Sequence, residues 1–220
     1  NLHLTYRPDI ETGDRLSFSA NLKNVGFNGP DPVPSIQNIS GAIHGNLDGG
    51  TLYLNARDPI LHVDKLFPQA WHWNSARAQF NWILSGNEIT LYSPLIQVIA
   101  DEGEATGDLY LKSSPASAHP AYLDLRIALQ NADGRYTAKY LPILSDPEDR
   151  EIPNWVRDAV RGGHVTQGFI QIQTHLRKFE DTTDTAINLY LQADNAELVY
   201  LKGWPPLTNA SGEVFVDPFG

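Results

Sequence analysis

Hydrophobic and polar residues alternate with a period of two along most of this chain, the pattern of half-buried β-strands. The clearest alternating stretches are 16–23, 51–56, 76–84, 89–92, 107–112, 123–129, 168–176 and 187–193. Turn-forming triplets such as Asp48-Gly49-Gly50 and Ser85-Gly86-Asn87 separate several of them. Short strands joined by tight turns predict a mostly β fold built on an antiparallel sheet.

Helical spacing is clear in one segment, 153–162. Pro153 suits a first helical turn, and Gly162-Gly163 suits a stop. A shorter helical turn is expected at 139–141, so the fold should contain one or two short helices. We expect three residues of the longer helix to pack on the sheet or form a groove edge: Trp155, Val156 and Ala159.

Two hairpin-like stretches share a fixed offset. Asn195 follows Asn24 by 171 residues, and Leu207 follows Ile36 by the same distance, each within a strand, proline turn, Asn-x-Ser-Gly, strand succession. We interpret both Asn-x-Ser triplets as turn residues rather than glycosylation sites. The interpretation is one segment, 1–220, with an incomplete second repeat unit near 187–220; chance similarity of two hairpins remains the alternative.

Charge and composition exclude several classes of function. The net charge of -10, from 16 basic and 26 acidic residues, argues against a nucleic-acid partner. The chain has no cysteine, which excludes disulfides, thiol nucleophiles and cysteine zinc sites and is compatible with a periplasm. The longest apolar run, 95–100, is far shorter than the ~18 residues that span a bilayer. The chain opens mid-pattern without methionine, so we expect a piece of a longer protein whose membrane anchor lies outside it.

No catalytic, cofactor or metal site is expected. His62 and Asp64 share a strand face, but two ligands do not make a site. The carboxylates at 101–104 and 146–151 are interpreted as solvated loops, because a hydrolase needs two carboxylates opposed across a cleft. Neither a nucleophile elbow nor a phosphate-binding glycine loop is present. The sequence therefore predicts a protein that is not an enzyme.

Three stretches resemble the YhdP branch of the AsmA-like family of Gram-negative envelope proteins. These are Val33-Pro34-Ser35-Ile36 through Gly45; Asp133-Gly134-Arg135-Tyr136 through Pro142, followed by Trp155 and Arg161-Gly162-Gly163; and Gly203-Trp204-Pro205-Pro206-Leu207, running into Gly212-Glu213-Val214. The resemblance implies an elongated, curved, groove-like sheet in the periplasm, tethered to the inner membrane by a segment outside this chain. It also implies phospholipid movement between inner and outer membranes, in support of the outer-membrane permeability barrier.

An apolar groove of this kind would hold phospholipid acyl chains, with the remaining segments of the same longer chain and further envelope proteins as partners. The candidate groove residues are Phe80, Trp82, Leu84, Leu123, Leu125, Ile127, Leu129, Ile170, Ile172, Leu189 and Leu191. Two alternatives stay open: a structural envelope spacer with a dry, packed interior, and a carbohydrate-binding or hydrolysing β domain that uses the tryptophans and acidic loops.

Overall fold

The computed structural model describes residues 1–29, 34–114, 120–143, 151–178 and 181–217. In these ranges thirteen strands form one antiparallel sheet. The strands are β1 (Leu2–Tyr6), β2 (Leu16–Phe27), β3 (Ser35–Asn46), β4 (Gly49–Arg57), β5 (Ile60–His62), β6 (Trp71–His72), β7 (Ser75–Ser85), β8 (Glu88–Ala100), β9 (Gly103–Ser113), β10 (Ala121–Asp133), β11 (Val160–Lys178), β12 (Asp181–Leu198) and β13 (Leu207–Val216).

The sheet is ordered almost entirely by sequence. The main path is β1-β2-β3-β4-β7-β8-β9-β10-β11-β12-β13, while β5 pairs with β3 and with β6 off this path. Neighbours in sequence pair because alternating strands joined by short turns fold back on one another. The predicted mostly β, antiparallel fold is confirmed.

Within the described residues the sheet is a single layer and has no conventional core. The buried hydrophobic residues there are four alanines: Ala56, Ala76, Ala78 and Ala159. The accessible surface is 14057 Å², whereas a globular chain of 24.4 kDa exposes about 10,000 Å². Large side chains are therefore shielded mainly by their neighbours within the sheet, and one side of each remains open.

The helices differ from the prediction in their bounds. The α-helix α1 spans Glu151–Ala159, and Gly162 and Gly163 lie in β11 instead of ending the helix. Gly162 pairs with Glu197 of β12, a long-range effect that local helix signals do not contain. The turn predicted at 139–141 is the end of a longer 3-10 helix, Gly134–Tyr140. A further 3-10 helix covers Gly13–Arg15.

The two stretches 171 residues apart form equivalent hairpins. In the first hairpin Leu22 pairs with Gly41, and the register slips before Val25 and again before Phe27. In the second hairpin the register slips before Ala196 and before Leu198. Both slips are displaced by 171 residues, so the two hairpins share one backbone plan.

Asparagine causes these irregularities. Asn24, Asn38, Asn195 and Asn209 all have φ between 50° and 58°, the left-handed region that asparagine tolerates better than most residues. They lie inside strands at one end of the sheet, which we call the bulge end. The interpretation of the Asn-x-Ser triplets as turns is therefore wrong: they lie within β3 and β13 as bulge residues, because a left-handed residue can kink a strand without ending it.

Candidate functional site

Strand register gathers the apolar positions into continuous rows on one face of the sheet. Directly paired residues of an antiparallel sheet point to the same side. One row crosses ten strands without a polar side chain: Leu22, Gly41, Leu54, Ala78, Ile96, Gly107, Ile127, Ile170, Leu189 and Val216. At ~4.8 Å between strands this row is about 43 Å long.

A second row runs parallel to the first, one step nearer the bulge end. It consists of Ala56, Ala76, Val98, Ala105, Leu129, Gly168, Leu191 and Val214. We call the side of the sheet that carries both rows the apolar face. No residue of either row is titratable, so nothing in them would resist contact with hydrocarbon.

Every sequence-predicted groove residue lies on this apolar face. Phe80, Trp82 and Leu84 follow Ala78 at alternate positions of β7, and the residues from β10, β11 and β12 belong to the two rows or to alternate positions beside them. Leu84 is exposed at 39%, and the others are half-buried. The structure thus places all eleven residues on one face of the sheet.

The opposite face, which we call the polar face, combines polar rows with exposed apolar side chains such as Leu95, Ile99 and Phe169. Its rows include Asn55, Arg77, Gln97 and Thr106 at paired positions. Arg126 Nη2 lies 2.7 Å from Asp108 Oδ1 on this side. A cavity of about 660 Å³ at the bulge end is lined largely by residues of these polar rows. Its lining is unsuited to an acyl chain, so the apolar face remains the candidate surface.

Two glycines let aromatic rings lie flat on the apolar face. Gly45 and Gly50 lie between Phe18 and Trp82 in one paired row, and the two rings stack with centroids 6.4 Å apart. A Cβ on Gly50 would come within 2.3 Å of the Trp82 ring. Gly45 and Gly50 therefore leave the space in which the Phe18 and Trp82 rings lie, and the apolar surface continues across these strands.

Two buried hydroxyls on the apolar face, those of Ser93 and Thr174, are hydrogen-bonded within the protein. Ser93 is buried, at 1% exposure, and its hydroxyl donates to the Leu95 carbonyl at 2.9 Å. The Thr174 and Thr185 hydroxyls are 2.7 Å apart and share a hydrogen bond. These hydroxyls offer no unmet bond that would hold a passing ligand in one place.

A connecting segment crosses the strand ends at the bulge end. This strap, residues 134–143, leaves β10 and reaches the segment between β4 and β7, where the Ile143 amide donates to the Leu66 carbonyl at 2.7 Å. Trp71 Nε1 donates to the Lys139 carbonyl at 3.2 Å, and its ring lies 5.0 Å from the Tyr140 ring. The strap ties together strands that are far apart in the sheet order.

A buried charged group fastens the strap to the turn between β8 and β9. Lys139 Nζ and Tyr140 OH both donate to Glu102 Oε1, the latter at 2.6 Å. Burial raises the pKa of the Glu102 carboxyl, but the hydrogen bonds from Lys139 and Tyr140 outweigh it and leave that pKa below its ordinary value. Burial, and then the Glu102 carboxylate, raise the pKa of Tyr140. The carboxyl is thus ionised, and the phenol protonated, at neutral pH.

The solvated-loop interpretation of 101–104 is therefore wrong for Glu102, whose side chain is 11% exposed. Asp101 is exposed and accepts from Asn74 Nδ2 at 2.8 Å. Of the second acidic stretch, Asp146, Glu148 and Asp149 lie outside the described residues, while Glu151 begins α1. Sequence reasoning missed Glu102 because its partners are 37 and 38 residues away.

The three helix residues separate in the structure. Ala159 is buried and Val156 half-buried, but Trp155 is 54% exposed, so Trp155 does not pack on the sheet and its place at a groove edge stays a prediction. Its indole Nε1 instead donates to the Tyr200 carbonyl at 3.2 Å, which fixes the ring beside the loop before β13. Helical spacing predicts that Trp155 and Val156 lie on one apolar side of α1. In the structure only part of that side faces the sheet.

No set of three or more histidine or acidic side chains converges on a possible metal position in the part of the chain that the structure describes. His62 Nδ1 lies 2.6 Å from Asp64 Oδ1, a local pair. The described helices include none with the length and hydropathy needed to cross a membrane.

Comparison with known proteins gives one result that bears on identity. A family model described as the YhdP protein matches residues 1–217. No curated protein and no solved structure matches the chain. The match extends over nearly the whole sheet described above, and the resemblance noted in the sequence is confirmed: the chain belongs to the YhdP family.

Proposed function

We propose that the apolar face binds the acyl chains of phospholipids and forms one stretch of a path along which lipids move. The observation that supports this most directly is the row from Leu22 to Val216, which crosses ten strands without a polar side chain. In the described residues no second sheet packs on this face. An apolar surface of this extent on a protein marks an interaction site.

The dimensions suit an acyl chain. Half of a ~30 Å hydrocarbon core is about 15 Å, so one extended acyl chain laid along the row would contact about three strands. Each buried methylene contributes about 0.8 kcal/mol. A chain lying on an open face is shielded on one side, so the retention is a fraction of full burial and still favours the bound state.

A bound lipid can move along the apolar face because successive strands offer it similar apolar contacts. A lipid that shifts by one strand exchanges one set of apolar contacts for a similar set about 4.8 Å further on. Because the two full rows carry no charged or titratable side chain, no step requires a lipid to leave a specific partner. Dispersion and hydrophobic contact, which are non-directional, then hold the chain without fixing it.

The wider role is part of the same proposal. As a member of the YhdP family, the chain would act in the periplasm as a segment of a protein tethered to the inner membrane, and would carry phospholipids between the inner and outer membranes. Its partners would be the other segments of the longer chain and further envelope proteins. Catalysis forms no part of this role.

The spacer and the glycoside-hydrolysis alternatives lose support for different reasons. A spacer with a dry, packed interior needs a second layer over the apolar face, and the described strands form a single sheet. A glycosidase needs two carboxylates opposed across a cleft, and Glu102 is engaged by Lys139 and Tyr140.

The test is lipid capture by matched variants. Ile127→Asp places a carboxylate in the middle of the longer row, whereas Ala128→Asp places one at the next residue on the polar face. After incubation with phospholipid vesicles and reisolation, mass spectrometry of extracted lipid should find phospholipid with the wild type and with Ala128→Asp. Ile127→Asp should retain at least about fivefold less, since an ion against hydrocarbon is costly. Lipid-free wild type, or equal retention by both variants, would refute the proposal.

A further inference from the structure

The cavity at the bulge end lies on the polar face and is lined by strands from β2 to β9. Its volume of about 660 Å³ falls within the ~300–1,000 Å³ of typical small-molecule sites. Among its described lining residues, β4 and β7 supply two arginines, Arg57 and Arg77, and β9 supplies a carboxylate, Glu104. The side of the cavity at β4 and β7 is therefore cationic, and the side at β9 is anionic.

The strands beneath the cavity are the most closely packed part of the sheet. Three of the four buried apolar residues of the described chain, Ala56, Ala76 and Ala78, belong to β4 and β7. Ala56 itself lines the cavity. Side chains carried by packed strands hold their positions more precisely than side chains carried by loops. The two arginines thus project from a firm floor.

The charged side chains of the cavity have no partner inside the protein. Within the described residues, Arg57, Arg77 and Glu104 form no ion pair. Elsewhere on the polar face, Arg126 pairs with Asp108 at 2.7 Å. The chain carries 26 acidic and 16 basic residues, so a shortage of carboxylates does not explain two unpaired arginines. Their charges are available to a ligand.

The register of the sheet fixes the spacing of the opposite charges. Arg77 pairs with Gln97, which pairs with Thr106, and Glu104 lies two residues before Thr106 on the same face. Two strand steps of ~4.8 Å and two residues of ~3.3 Å place the Cα atoms of Arg77 and Glu104 about 12 Å apart. An extended tripeptide is about 10 Å long. The Gln97 carboxamide, between the charges, offers the donor and the acceptor that a peptide bond can pair with.

From these observations we infer that the cavity binds a short polar peptide, about three residues long, by its two charged ends. Arg57 and Arg77 receive the terminal carboxylate, because guanidinium groups bind carboxylates through paired hydrogen bonds. Glu104 receives the N-terminal ammonium group, and Gln97 bonds to the peptide between them. The site is separate from the proposed lipid path, since the cavity and the two apolar rows lie on opposite faces.

The probe is trialanine with free termini, titrated into isotope-labelled protein and followed by the amide chemical shifts in NMR spectra. The wild type should show saturable shifts around residues 55–57, 75–77, 97–99 and 104–106. Arg77→Gln should weaken binding about fivefold, the upper range for one exposed ion pair. The matched control, Arg126→Gln, removes the same charge from the same face outside the cavity and should bind as the wild type does.

Modified peptides test each end of the ligand without changing the protein. Amidation of the C-terminus should weaken binding to the wild type at least about tenfold, because both arginines lose the carboxylate. Acetylation of the N-terminus should weaken binding about threefold, and Glu104→Gln should cause no further loss with the acetylated peptide. These comparisons remain valid where a variant is less stable than the wild type.

Four outcomes would overturn the inference. The first is the absence of saturable shifts with trialanine, and the second is equal affinity for the amidated peptide. The third is unchanged binding by Arg77→Gln, or an equal loss in Arg126→Gln. The fourth is inorganic phosphate that binds as tightly as trialanine, which would make the cavity a site for anions in general.

Discussion

The hairpins β2–β3 and β12–β13 have the same register slips and the same left-handed asparagines, yet one lies inside the sheet and the other at its edge. Ile36 is half-buried beside β5, whereas its counterpart Leu207 is 45% exposed. The comparison separates two properties of a hairpin. Its backbone conformation depends on its own residues, whereas the burial of its side chains depends on the strands that pair with its outer edge. Substitutions at equivalent positions can measure the second property alone.

The largest difference in destabilisation is expected between Gly41→Ala and Gly212→Ala. At Gly41 the new methyl group would collide with the Tyr53 carbonyl oxygen, at φ +156°. We expect a loss of about 3 kcal/mol there, since overpacking forces the backbone to move. At Gly212 the change should be close to zero, because alanine is well tolerated in open space. Because a single-layer sheet opens locally, hydrogen exchange along β3 and β13 is the suitable measurement; equal effects at both sites would contradict the comparison.

The next effect concerns the strap, which contacts the segment beside the first hairpin through Trp71 and Leu66. Glu102→Gln removes the carboxylate that Lys139 and Tyr140 share, and should cost about 2 kcal/mol because the lysine charge stays buried. The pKa of Glu102 is lower in the folded protein than in the unfolded chain. Its contribution to the free energy of unfolding is therefore fully present above the ordinary pKa range of glutamate, and is lost as pH falls through the lower pKa of the folded state.

Thermal melts of wild type and Glu102→Gln should therefore differ at pH 7 and converge as pH falls below about 4. Hydrogen exchange should assign the loss to β5, β6 and the strap and leave β12–β13 unchanged. A constant difference at all pH values would show that the carboxylate charge is not what fastens the strap.

The smallest difference in destabilisation is expected between Asn38→Ala and Asn209→Ala. Alanine in the left-handed region costs about 1 kcal/mol at either site. Asn38 additionally loses its hydrogen bond to the Asp58 carbonyl, so its total should reach about 1.5 kcal/mol. Asn38→Gly keeps the backbone conformation and removes only the amide, which isolates the smaller contribution. Identical exchange rates for Asn38→Ala and Asn209→Ala would mean that the hydrogen bond from Asn38 to the Asp58 carbonyl contributes nothing.

Much of this fold could be predicted from the sequence, because the alternation of residues 16–22 or 123–129 reports directly which side chains share a face. The candidate groove residues were found in the same way, and the family resemblance rests on short stretches that retain their spacing. Glu102 could not be found, since its burial depends on Lys139 and Tyr140 arriving from the strap. Helix α1 ends earlier than predicted because Gly162 pairs with Glu197 of β12.

The sequence by itself determined most of the longer strands, which of their side chains share a face, and the 171-residue offset between two hairpins, since each depends on spacing along the chain. Only the tertiary structure decided that ten strands align their apolar positions into one open row, that a strap fastens the bulge end, and that Gly41 lies against a neighbouring strand while no described residue lies beside Gly212. The physical reason is that a period of two specifies the side of a sheet on which a residue lies, whereas burial depends on which distant strands come to lie beside it.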